Sequence, residues 1–312
     1  MDPFTHLMVG RLLFSLFFES MDRDFLYFAL IFTVLPDFDI FIAPFKKILN
    51  WNYLEHRGGS HSFITGIILS LIGSYIFTLI TTQLFLRAIF LGICFYSLHI
   101  VLDLLNTTKI PIFYPLSKRE KSYYVEKAGS MFTMFFSVVF FIILFLFDRY
   151  GAPNSSQISR TIMTILFLVY YLFRIVVKLI VQKRKLINQK YFPGFFPHQY
   201  YLFESDYTNH HIQMNLEQKS IFTKNTHQIS KTFNLSPDEM EIFTNAISIC
   251  DSNYYRNKTT KFPIIIKEND KFSVRLYVLE TIMNSKSMYL QYDFDPKTGI
   301  LINENQSYGI II

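Results

Sequence analysis

Six apolar runs crowd into the first 182 residues, and they restrict what this chain can fold into more than any other feature. They cover about 7–18, 25–35, 62–82, 84–105, 130–147 and 161–181. A helix needs about 20 apolar residues to cross the hydrocarbon layer, so the third and fourth runs are each long enough. The first is short and carries Arg11 in its middle, which predicts a helix that is tilted, re-entrant or buried among neighbours. Pro36 is expected to end or kink the second helix near Leu35. The very short connection between runs three and four predicts an antiparallel hairpin.

Beyond about Tyr191 the pattern changes, with Lys, Asn, Asp and Glu throughout. Ser236-Pro237-Asp238-Glu239 is a capping box with proline at the first helical position, so it opens a helix running to roughly Ile249. The stretches 263–266 and 272–279 flank Lys267-Glu268-Asn269-Asp270-Lys271, and 289–294 and 300–302 flank Asp295-Pro296-Lys297-Thr298-Gly299. Each set reads as a hairpin. The fold class expected is therefore an all-α polytopic membrane domain of about five to six helices over 1–182, followed by a small soluble α+β domain over 190–312.

The net charge of +6 does not point to nucleic acid, because the basic residues gather in short loops between apolar runs. Twelve lie on one side: Lys46, Lys47, Arg57, Lys109, Lys118, Arg119, Lys121, Lys127, Lys183, Arg184, Lys185 and Lys190. The opposite loops hold only Arg23, Arg87, Arg149 and Arg160. The positive-inside bias makes the twelve-residue side cytosolic, with both the N-terminus and the 190–312 domain on that side of a cytoplasmic (inner) membrane. No basic n-region or small-residue cleavage site follows Met1, so a removable signal peptide is not expected. Cys94 and Cys250 lie in such different surroundings that a disulfide is not expected.

Four polar insertions interrupt the apolar half beside helix ends. They are Thr5-His6, Pro36-Asp37-Phe38-Asp39, Glu55-His56-Arg57-Gly58-Gly59-Ser60-His61-Ser62, and His99 with Asp103. Ionisable groups in such places are costly and mark functional sites. Two carboxylates at one apolar helix end repel each other unless a cation or donors intervene. His99 and Asp103 lie one turn apart on one helix face, a spacing suited to two ligands of one ion. It is equally the spacing of an ordinary buried His–Asp pair. The glycine turn also has a plain structural reading, with Ser60 capping the next helix, but that leaves His56, His61 and Arg57 without a role. Imidazole with carboxylate suits zinc, manganese or iron. His198, His210, His211 and His227 in the soluble half lack metal-type spacing.

Together with Tyr114-Pro115-Leu116-Ser117, this ordered series resembles the signature of the membrane-bound metal-dependent hydrolases of the LexA-regulated inner-membrane type. The resemblance covers about residues 1–120 and extends toward 180. It implies a polytopic metal hydrolase. That family places an acidic residue in the segment leading into the fifth run, where this chain has Lys127-Ala128-Gly129-Ser130 with Glu126 just before it.

The expected site takes His6, Asp37, Asp39, His61, His99 and Asp103 as ligands of one or two divalent metals, zinc or manganese. His56 and Arg57 stand at its rim as catalytic residues. A metal-activated water is the expected nucleophile, an unligated Asp or His the base, and Arg57 the group that steadies negative charge. Membrane lipid is the environment and the first candidate for substrate, as a lipid or other amphiphilic ester or phosphoester. Two rival classes are a divalent-metal transporter and a non-catalytic scaffold that displays the soluble domain. The near absence of polar groups at the opposite membrane face favours the enzyme over the transporter. The residues do not specify an oligomeric state.

Overall fold

A computed structural model describes all residues except 1, 19–20, 43–56, 151–154, 209, 224–225, 253–258, 269, 284 and 312. The chain divides into two compact units, Met1–Phe173 and Arg174–Ile312.

In the first unit, α1 (Pro3–Phe17) starts where Asp2 accepts from the Thr5 backbone N–H and Pro3 occupies a position that needs no donor. The second helix, α2 (Arg23–Val34), stops at Pro36, and the chain continues as a 3-10 turn, Leu35–Phe38, into the short α3 (Asp39–Ile42). The Asp pair therefore stands on tight, irregular backbone at a helix end, as expected from Pro36. After a second 3-10 turn, Gly59–His61, come α4 (Phe63–Thr81) and α5 (Phe85–Leu104), joined by three residues as a hairpin. The cap of α4 is Ser62, whose hydroxyl accepts from the Ile64 N–H, and not Ser60 as the glycine-turn reading supposed. The unit is completed by α6 (Met131–Tyr150) and the start of α7 (Ser155–Arg184).

The core of this unit is aromatic. Phe14, Phe25, Phe28, Phe32, Phe95 and Tyr96 from α1, α2 and α5 are buried together. Glycine permits the closest approaches. The Tyr96 ring lies where a side chain on Gly66 would stand, and a Cβ on Gly10 would sit 2.7 Å from Thr33 Oγ1. The outer surface is apolar as well: Ile68, Ile72, Tyr75, Ile76, Leu79 and Ile80 of α4 are all exposed, which suits lipid and not water. Three helices, Phe63–Thr81, Phe85–Leu104 and Gln157–Arg184, are long and apolar enough to cross a membrane. Pro3–Phe17 and Met131–Phe147 are apolar but shorter.

The second unit contains two antiparallel sheets. The first has strand order β1 (Lys190–Pro193), β2 (Gln199–Tyr207), β3 (His211–Ser220) and β4 (His227–Asn234). The second has β5 (Lys261–Lys267), β6 (Phe272–Val278), β7 (Lys286–Phe294) and β8 (Leu301–Ile310). Between them runs α8 (Pro237–Ser252), opened by the expected reciprocal cap: Ser236 N–H to Glu239 at 2.9 Å, and Glu239 N–H to the Ser236 hydroxyl at 3.3 Å. Both expected hairpins form, and Asp295 Oδ1 accepts from the Lys297 and Thr298 amides in the second. Phe203 of β2 meets Phe262 of β5, ring centroids 6.0 Å apart. Neither cysteine forms a disulfide among the described residues. Arg174 is fully buried, with its guanidinium donating to the carbonyls of Gly194 and Phe196. It is thus tied to the β1–β2 turn.

Candidate metal centre

Three separate segments deliver four side chains to one point. Asp37 comes from the 3-10 turn after α2, His61 from the turn before α4, and His99 and Asp103 from adjacent turns of α5. One ligand atom from each lies within 4.8 Å of all the others, and His61, His99 and Asp103 are essentially inaccessible to solvent.

The hydrogen bonds around the two imidazoles decide what faces that point. His99 Nδ1 is 2.7 Å from the Thr33 carbonyl oxygen, which only accepts, so Nδ1 carries the proton and Nε2 presents its lone pair. His61 is set by a relay. The Ser60 hydroxyl donates to Asp39 Oδ2 at 2.5 Å, so its oxygen accepts from His61 Nδ1 at 2.9 Å, and His61 Nε2 is again the bare nitrogen. The two Nε2 atoms are 3.2 Å apart. His61 Nε2 stands 3.6 Å from Asp37 Oδ1 and 3.2 Å from Asp103 Oδ2; His99 Nε2 stands 3.7 and 3.8 Å from the same two oxygens.

Two imidazole lone pairs and two carboxylate oxygens are thus brought together in a buried space, an arrangement that is unfavourable without a cation. The donor set fits one. Tetrahedral ligands at about 2.0–2.2 Å from an ion lie about 3.3–3.6 Å from each other, close to the spacings seen here. Two nitrogens and two oxygens suit zinc, manganese or iron.

The other expected site residues surround these four. Asp39 sits one layer out, holding the Ser60 hydroxyl and the Arg57 backbone N–H (2.8 Å), with its Oδ2 3.4 Å from His61 Nδ1. His6 is fully buried and stacks on His99, with ring centroids 3.8 Å apart and planes 15° from parallel. Its Nε2 lies 3.3 Å from Asp103 Oδ1, the oxygen turned away from the group of four. Both His6 ring nitrogens lack a hydrogen-bond partner among the described residues. Arg57 has a left-handed backbone, φ 61°, and its Nε is 3.7 Å from Asp103 Oδ2. His56 lies outside the described residues.

Four supporting residues had no place in the expected site. Thr33 contributes its carbonyl to His99. Asn106, fully buried, donates to Asp103 Oδ1 at 2.8 Å. The Tyr96 hydroxyl donates to the Ser60 carbonyl. The Ser62 hydroxyl donates to the Tyr114 carbonyl at 2.6 Å, so the Tyr114-Pro115 stretch backs the glycine turn. Asn106 left a sequence signal, three residues after Asp103, and Ser62 and Tyr114 stand in the polar series itself, whereas Thr33 and Tyr96 left none. Glu126, the acidic residue before the fifth run, is fully buried and accepts from the Tyr170 hydroxyl and the Lys127 N–H. Burial holds the neighbouring Lys127 ammonium down at about 8, against the opposing pull of Glu126.

Compared with known proteins, residues 1–183 match a family model described as YdjM inner membrane protein, which is more than half of the chain. No curated protein and no solved structure matches.

Proposed function

This chain belongs to the YdjM inner membrane protein family, and on that footing we propose a membrane-embedded, metal-dependent hydrolase of amphiphilic esters or phosphoesters. One observation carries the reading: the convergence of His61, His99, Asp37 and Asp103 on a point where four acceptor atoms meet. A divalent cation held there, zinc or manganese by donor chemistry, would polarise a substrate oxygen and make water a stronger nucleophile.

The chain's own groups supply the rest. Arg57 is rooted by its backbone bond to Asp39 and carries its guanidinium beside Asp103 at the rim of the group. Its planar fork can grip a phosphoryl or carboxyl oxygen and stabilise the charge that grows during hydrolysis. The relay from His61 through Ser60 to Asp39, and the stacking of His6 on His99, hold both imidazoles in position. Helices with apolar outer faces carry the site, which suits a substrate whose hydrocarbon chain stays in the membrane.

The test is a panel of lipid esters and phosphoesters offered to purified wild type and Arg57→Ala, with metal content measured on the same samples. Wild type should hydrolyse at least one class. Arg57→Ala should keep its metal while turnover falls about 10²-fold. Metal-loaded wild type that cleaves nothing in the panel would sink the hydrolase reading and leave a transporter or scaffold.

As a second element of the proposal, the His/Asp end of this integral inner-membrane protein faces the cytosol, as do both termini. The support is the twelve-to-four division of basic residues. Reporter fusions after Lys190 and within 150–158 read this directly. Activity outside the membrane from the Lys190 fusion would overturn the orientation.

A further inference from the structure

At the far end of α2 from Asp37, about 18 Å along the helix axis, the first unit has a second polar site. A cavity of about 540 Å³ is lined by Arg11 of α1, Arg23 of α2, Arg149 of α6 and Arg160 of α7. Apart from Ser15, the rest of its wall is apolar or aromatic, with Phe14, Met21, Leu26, Tyr27 and Phe145. We propose that this cavity binds the phosphate headgroup of an anionic lipid, with the guanidiniums on the phosphate and the hydrocarbon chain along Tyr27 and Phe145.

Three observations support this. The first is charge: four cations from four helices share one cavity, and among the described residues no carboxylate lines it. Arg23 and Arg149 form no ion pair among the described residues. Like charges gathered in this way repel, and an anion between them removes the repulsion. The second is residue choice. On the side carrying twelve basic residues lysine prevails, whereas the opposite loops use arginine alone. Charge alone would be served by either residue. Only the planar fork of arginine grips phosphate in bidentate fashion. The third is the wall: half-exposed and exposed apolar side chains beside the arginines suit an amphiphile better than a free inorganic ion. Basic pockets between membrane helices bind lipid headgroups by this combination.

The site is separate from the His/Asp centre, so either proposal can fail alone. The test uses the full chain in neutral detergent, its unfolding midpoint followed on adding phosphatidylglycerol, phosphatidylcholine or inorganic phosphate. Phosphatidylglycerol should raise the midpoint by about 5 °C, and phosphatidylcholine should not. The double variant Arg23→Gln/Arg149→Gln should need at least ~10-fold more phosphatidylglycerol for the same shift. Arg119→Gln, which removes one positive charge elsewhere, should respond like wild type. If inorganic phosphate alone gives the shift and the double variant loses it, the phosphate chemistry stands and its source is the free ion. No shift with any anion, or an equal shift in the double variant, overturns the site. Should the double variant fold poorly, Arg149→Lys keeps the charge and loses the fork. A weakened response then supports the site, and an undiminished one overturns it.

Discussion

Asp103→Asn should empty the metal centre: bound metal is expected to fall from about one ion per chain to below ~0.1 at submicromolar free metal, a loss of more than ~100-fold in affinity. The side chain has two jobs. Oδ2 faces His61 Nε2 at 3.2 Å and His99 Nε2 at 3.8 Å, while Oδ1 accepts from Asn106 and lies 3.3 Å from His6. Asparagine has the same shape and keeps an oxygen for Asn106. What disappears is one of the two negative charges at the point where the imidazoles meet. Removing a supporting group typically costs 10–100-fold in metal affinity, so removing a ligand should cost more. Elemental analysis of wild type, Asp103→Asn and Arg57→Ala, purified without chelators, decides the matter. Arg57→Ala should keep its ion, because its guanidinium is at the rim and only its backbone supports Asp39. Wild type free of transition metal would end the metal proposal. A fully loaded Asp103→Asn would mean that other residues are the ligands.

Chelation should lower the unfolding midpoint of wild type by about 5–15 °C. An ion present at 100–1,000 times its dissociation constant contributes about 2.7–4.1 kcal/mol to the folded state. For a chain of this size each kcal/mol moves the midpoint by about 2–4 °C. The effect has a structural route, since the four candidate ligands join the end of α2, the glycine turn and α5, and without an ion only Arg57 and Asn106 would offset the two carboxylates held there. Asp37→Ala should start from a lower midpoint and respond little to the chelator. Thermal unfolding in detergent, before and after chelation and again after metal is restored, measures this. A midpoint unchanged while the metal demonstrably leaves would show that the centre is not coupled to stability.

Local chemistry made much of the fold readable. Hydropathy marked the helices that carry the first unit, because burial in lipid needs only a long apolar run. The end of α2 at Pro36 and the start of α8 at Ser236 were legible because proline and a capping box act within one turn. The sheet formed by β1 to β4 was not anticipated. In β4 the pattern is weak, since His227–Asn234 alternates only between exposed and half-buried positions, and its pairing partner β3 is fixed across a turn. The cap of α4 went to Ser62 and not Ser60 because Asp39, far away in sequence, holds the Ser60 hydroxyl.

Seven histidine and aspartate side chains at apolar helix ends can be read from the residues alone, and they are enough to argue for a cation. How they divide the work follows from contacts between segments far apart in the chain. An imidazole offers either nitrogen, and which one faces the ion depends on what takes the proton from the other. For His99 that partner is the Thr33 carbonyl, 66 residues away, and for His61 it is a serine held by Asp39. Asp37 and Asp39 are two residues apart on one tight turn, yet one turns toward the imidazole lone pairs and the other toward the serine. Chain spacing cannot make that distinction, because it depends on packing between α2, the glycine turn and α5, and on which polar group each buried acceptor finds there.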